Sequence, residues 1–200
     1  MARPRGFDEN VVLDRAVDVF WRQGYESTAI GELCSATELN PGSIYAAFGD
    51  KRGLFVAALK RYAESVSAAV IVTLDTTPSG EAAIRSYFAI LVDGMVHGRR
   101  RWGCLVTNTL VEQHAADKEI AALIARHLAK LEAAFVRALG RDGAVPADAA
   151  ERAGALVCFV LGLNVMAKSH PGRAKLEALV STTVDRFARP LKPRSRRTTA

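Results

Sequence analysis

Apolar residues recur through most of the chain at intervals of three and four, the period of amphipathic helices, and the short Val, Ile and Thr clusters never alternate cleanly with polar residues. Asp8 is placed to cap a first helix whose Val12, Ala16, Val19 and Phe20 share a face, and Gly24 ends it. Thr28 is expected to cap a short second helix with Ile30 and Leu33 inward. A tight turn around Glu38-Leu39 follows, and Asn40 opens a third helix with Pro41 at its first position, where a missing N–H does no harm. Gly49-Asp50 interrupts the chain, and Asp50 can cap a long fourth helix from Lys51 to about Thr73. Ile84, Phe88, Leu91 and Met95 mark a fifth. A basic connector from Gly98 to Gly103 leads to a shorter sixth over Cys104 to His114. Ile120, Leu123, Ile124, His127, Leu128, Leu131 and Phe135 form the stripe of a seventh. Val157, Leu161 and Val165 lie on an eighth, and Leu176, Leu179, Val180, Thr183, Val184 and Phe187 on a ninth.

The pattern predicts an all-α fold of about nine helices. An N-terminal three-helix unit over residues 1–50 has a tight turn between its last two helices, as in a helix-turn-helix. A larger helical unit covers 51–189, and residues 190–200, polar and rich in Pro and Arg, are expected to be a disordered basic tail. The same helices would also suit an ordinary bundle, with the caps and core residues serving packing alone.

Composition refines this in two ways. The net charge is +6, but residues 1–61 hold eight basic and eight acidic side chains and residues 62–185 hold thirteen of each. The excess lies in Arg186, Arg189, Lys192, Arg194, Arg196 and Arg197, so it describes the tail and not a nucleic-acid surface. The apolar stretches are interrupted by charges before 18 residues, so no membrane span is expected, and no signal-peptide core follows Met1; the expected compartment is the cytoplasm. Cys34, Cys104 and Cys158 are widely spaced without a CxxC pair, which argues against disulfides or structural zinc.

The wording of the first 55 residues is more specific. Thr28, Ile30, Ala36, Gly42, Tyr45, Phe48, Lys51 and Leu54 fall where the DNA-binding domain of TetR-family regulators carries the same residues, with Leu33 and Ile44 as conservative matches. The segment resembles that domain over about residues 9–55. Glu38 departs from it, standing where glycine is usual, as do Asn40 for serine and Ala47 for histidine; Asn can cap as serine does. The resemblance implies double-stranded operator DNA as partner, a homodimer and a small-molecule effector. Candidate DNA contacts are Arg3, Arg5, Thr28, Asn40, Pro41, Gly42, Ser43, Tyr45 and Lys51, with Arg52 as a further cation. The last two helices would pair across a two-fold axis through Val157, Leu161, Leu176, Leu179, Val180, Thr183 and Phe187. The small residues Ala149, Ala150, Ala153, Gly154 and Val157 would permit close packing; the alternative is that both helices pack within one monomer.

Remaining chemistry gathers near residue 104. Phe88, Leu91, Met95, Trp102, Leu110, Leu123 and Leu128 are candidates for an apolar effector pocket, and Cys104, expected in the first turn of the sixth helix beside Arg99, Arg100 and Arg101, for a redox or electrophile sensor. Gly103-Cys104-Leu105-Val106 resembles a TetR-family branch that includes cysteine-based sensors. The alternative is an inert buried thiol. Cys34 and Cys158 are expected in core packing. His97, His114 and His127 are not spaced with Cys104 as metal ligands are, so no metal or cofactor is expected. No nucleophile–base pair or phosphate loop points to an enzyme. A helical ligand-binding module without DNA binding is the competing reading.

Overall fold

A computed structural model describes residues 7–112 and 117–188. Arg3, Arg5, His114 and the basic tail lie outside the described residues. The regular structure is helical: α1 (Glu9–Gln23), α2 (Ile30–Thr37), α3 (Pro41–Phe48), α4 (Lys51–Tyr62), α5 (Ala68–Ile71), α6 (Gly80–His97), α7 (Leu105–Val111), α8 (Lys118–Arg141), α9 (Pro146–Ala167) and α10 (Arg173–Phe187). A π-helical turn, Ala63–Ser67, joins α4 to α5, and a 3-10 turn, Val72–Asp75, extends the rod to the length expected of one helix. With that rod counted once, the described residues hold nine helices.

The helix starts follow local chemistry. Asp8 accepts from the Asn10 N–H at 2.9 Å, Asn40 from Ser43 at 2.8 Å and Asp50 from Gly53 at 2.7 Å, each satisfying a donor that no helical carbonyl can reach. Gly24 ends α1 at φ +83°, close against the Glu112 carboxylate. At α2 the expectation is corrected. Ala29 is the N-cap residue, and Glu32 reaches back to its N–H at 2.8 Å. Thr28 is buried, and its hydroxyl donates to the Gly24 carbonyl at 2.6 Å, fastening the α1–α2 turn.

Two apolar clusters form the interior. The first joins Phe20, Trp21, Leu33, Ile44, Leu54, Phe55, Leu59 and Tyr62 of α1–α4 to Leu105 and Val106 of α7 and to Ile120 and Ile124 of α8. The second packs Ile84, Tyr87, Phe88 and Leu91 of α6 against Phe135 of α8, Leu156 and Leu163 of α9, and Leu176 and Val184 of α10. Helices α1–α3 therefore rest on α4, α7 and the start of α8 through a continuous apolar contact. Ion pairs cross the same seam: Arg52 with Asp117 and Glu119, Arg61 with Asp14, and Arg99 with Asp18. Exposed pairs of this kind add little stability singly and chiefly fix orientation.

Helix α9 has the length and apolar composition of a membrane-crossing segment. It is nonetheless packed against α8 and α10, and it buries Arg152, whose guanidinium reaches Asp148 at 2.9 Å and the Phe187 carbonyl at 2.7 Å. Its small-residue face is used inside the monomer. Ala149, Ala153 and Val157 are buried in the second cluster, and Gly154 faces Glu132 of α8. Leu176 is fully buried in the same cluster, so it and Val157 are core residues where a dimer contact was expected. Cys158, expected in the core, is exposed on the opposite face of α9.

Candidate recognition helix and interior chamber

The turn between α2 and α3 puts Glu38 at φ +60°, a left-handed conformation that costs a non-glycine residue on the order of 1 kcal/mol. Arg15 braces it, pairing with the Glu38 carboxylate at 3.0 Å and donating to the Thr37 carbonyl at 3.4 Å. Beyond the turn, Ile44 is fully buried and pins α3 to the first cluster. The helix thereby turns outward the residues that sequence reasoning selected. Asn40, Pro41 and Gly42 are exposed at its start, Ser43 is half-buried, and Tyr45 projects with 47% of its surface free. Lys51 stands beside this edge. Its Nζ lies 4.6 Å from the centroid of the Tyr25 ring and donates to the Glu26 carbonyl at 3.4 Å, and Tyr25 in turn packs on Phe55. Two other candidates are displaced. Thr28 is buried, and Arg52 is committed to Asp117 and Glu119, holding the Asp117 carboxyl down at about 2.

Cys104 lies at the cap position of α7, not in its first turn, and is buried. Its placement depends on Gly103, whose φ of +84° only glycine adopts readily. A Cβ there would stand 2.7 Å from the Asn164 carbonyl oxygen of α9 and 2.9 Å from Asn108 Oδ1. Trp21 of α1 donates its Nε1–H to the Gly103 carbonyl at 3.0 Å, and the Asn108 amide bonds the Trp102 carbonyl at 2.9 Å. At the other end of α7, Glu112 accepts from the Tyr25 N–H at 3.2 Å. Both ends of α7 thus bond to α1 or to the residues just after it.

Around Cys104, where the two clusters meet, lies a small chamber bounded by Ser67, Tyr87, Arg100, Thr107, His127 and Asn164, with Leu128, Leu131, Val160 and Leu161 as its apolar part. Its free centre of about 10 Å³ holds no more than one water molecule. His127 Nε2 lies 3.3 Å from Ser67 Oγ, and burial, with the Arg100 and Lys130 charges, pushes its pKa down to about 4, so the ring is neutral near pH 7. Of the predicted pocket residues, Cys104 and Leu128 line this chamber. Phe88, Leu91 and Met95 are packed core, Leu123 faces a shallow cleft with Lys60 and Arg126, and Leu110 is 44% exposed. Trp102 lies edge-on to Trp21 beneath the Arg101 and Arg22 guanidiniums. Leu161, expected at a dimer interface, lines the chamber, while Leu179, Val180, Thr183 and Phe187 are half-buried along α10. Of the polar wall, Arg100 and His127 were noted in the sequence without this role, and Ser67, Tyr87, Thr107 and Asn164 escaped a reading that looked for apolar stripes.

Residues 12–58 match the family model described as bacterial regulatory proteins, tetR family, and residues 81–182 match the C-terminal domain of transcriptional regulators like LmrA and YxaF. The chain belongs to the TetR family. It is a DNA-binding transcriptional regulator of that type. The HTH-type transcriptional regulator YezE of Bacillus subtilis is 37% identical over 141 residues, covering 70% of this chain and 73% of that protein. The HTH-type transcriptional repressor ComR of Escherichia coli is 29% identical over 91% of this chain and 90% of its own length. Among solved structures, a cysteine-substituted form of the TetR-family regulator CifR, complexed with 26-base-pair operator DNA, superposes with a TM-score of 0.81 at 30% identity, over 92% of this chain and 98% of that one. This TetR-family chain therefore shares both its recognition unit and its helical body with that regulator.

Proposed function

We propose that this TetR-family regulator is a cytoplasmic, homodimeric repressor without enzymatic activity. It is released from double-stranded operator DNA by a small-molecule effector or by modification of Cys104. Residues 1–50 serve as reading head and 51–189 as effector and dimerisation body. Asn40, Pro41, Gly42, Ser43 and Tyr45 enter the major groove, with Lys51 on phosphate. The half-buried Leu179, Val180, Thr183 and Phe187, with the exposed Val165 and Cys158, form the two-fold face of α9 and α10.

The observation that carries this reading is the bond from Trp21 to the Gly103 carbonyl, next to Cys104. A change at Cys104 or in the chamber bears directly on α1. It shifts the spacing of the two reading heads only if it favours one spacing over the other. The test is a gel shift with DNA from the protein's own gene neighbourhood, before and after alkylation of the reduced protein. Retained operator affinity after complete modification of Cys104 removes the cysteine route. Failure of a folded dimer to bind any upstream sequence at low salt removes the repressor reading.

A further inference from the structure

Arg100 is a charged interior residue that the repressor reading leaves unused. In the run Arg99-Arg100-Arg101, Arg99 pairs with Asp18 and Arg101 lies over the Trp102 ring, whereas Arg100 turns inward and is only 8% exposed. Its stem rests on bare helix at Gly94 of α6, where a Cβ would meet Arg100 Cδ at 3.0 Å. A glycine inside a helix is unfavourable relative to alanine, so the space it leaves for this side chain is a specific provision. The guanidinium reaches the chamber beside the Cys104 thiol.

The charge has no counterpart there. Among the described residues no acidic side chain pairs with Arg100. Facing it are the Cys104 thiol, the neutral His127 ring and the phenols of Tyr62 and Tyr87, which burial keeps protonated. Burying an unpaired cation is costly, and the ordinary remedy is a hydrogen-bonded anion. A further buried polar atom lacks a partner: Asn164 Oδ1, whose amide nitrogen is already committed to the Val160 carbonyl at 2.8 Å. Asn164 Oδ1 can only accept, so its missing partner is a donor.

We propose that Arg100 is the anion-binding residue of the chamber, and that its ligand is a small carboxylate that also carries a hydroxyl or amide donor for Asn164. The short carbon body packs on Leu128, Leu131, Val160 and Leu161. The proposal rests on reading this chamber as the effector site. The free space beside Arg100 is smaller than this ligand, so binding requires the lining side chains to give way.

The probes are 2-hydroxybutanoate, butanoate, which lacks the hydroxyl, and 2-hydroxybutanamide, which lacks the charge. Binding to the full-length protein without DNA is read from tryptophan fluorescence, since Trp21 packs on Tyr62 and bonds Gly103. The expected result is saturable binding of the hydroxy acid, about tenfold weaker for the amide and weaker for butanoate. Binding is lost in Arg100→Met and partly kept in Arg100→Lys, with thermal melts showing both variants folded. Equal binding of acid and amide, undiminished binding in Arg100→Met, or no binding of any probe overturns the proposal. Operator release is measured separately. Binding without release leaves the anion site standing and removes its effector role; release on alkylation without carboxylate binding does the reverse.

Discussion

Removing the titrating ring of His127 tests the polarity of the chamber directly. His127 is buried against Ser67, with its pKa pushed from the ordinary 6.5 down to about 4 by desolvation first and then by Arg100 and Lys130. In the unfolded chain the ring takes a proton near pH 6.5; in the folded protein it resists until about pH 4. Because the unfolded state binds the extra proton, the contribution of neutral His127 is complete above pH 6.5 and is lost as the pH falls toward 4. A difference of that size corresponds to about 3 kcal/mol. His127→Gln keeps a hydrogen-bonding group for Ser67 and has no proton to gain. Urea unfolding of the two proteins at one fixed concentration, from about pH 7 to about pH 4, isolates the ring from every other titrating group. The wild type should lose about 3 kcal/mol more than the variant across that window. Parallel curves would refute the reasoning, as would a wild-type advantage that grows on acidification. Adding Arg100→Met removes one cause of the depression, so the histidine's window should narrow without closing.

Gly103→Ala forces a Cβ into glycine-only backbone and against the Asn164 carbonyl; strain of about 1–3 kcal/mol should lower the melting temperature by several degrees and loosen the Trp21 contact, and an unchanged melt contradicts it. Asn40→Ala removes the cap of α3 and should cost about 1 kcal/mol, with operator affinity falling further than stability; equal losses would make Asn40 a folding residue alone. Gly94→Ala would gain about 1 kcal/mol from helix propensity alone, yet crowding of the Arg100 stem should cancel the gain; a melting point raised by several degrees would show that the stem yields freely. The Arg52–Asp117 pair depresses the Asp117 carboxyl to about 2, so its contribution is present above pH 3.8 and lost as the pH drops toward 2; Asp117→Asn should flatten acid unfolding in that window, and an identical acid profile counts against it.

The sequence spoke most clearly where chemistry is local. The caps at Asp8, Asn40 and Asp50 and the stop at Gly24 depend on residues within a turn of one another, and each stands where it was read. Thr28 was misread because a hydroxyl two residues ahead of an apolar helix start suits a cap or a turn clasp equally well. Only the fold of Gly24 beneath it decides. The small face of α9 announces close packing but not with whom, and the partner is α8. Nothing in three successive arginines marks the middle one as buried. The 3-10 turn Arg99–Trp102 points it away from its neighbours, and Gly94, six residues earlier, opens the space.

The near absence of free volume beside Arg100 also sets a clock. A molecule larger than water finds no ready space there and must wait for the lining side chains to move aside. Once a ligand is abundant, its arrival rate should stop rising with concentration and settle at the rate of that opening, typically microseconds to milliseconds or slower. The ceiling in the arrival rate would then report how often the chamber opens, whatever the ligand's concentration.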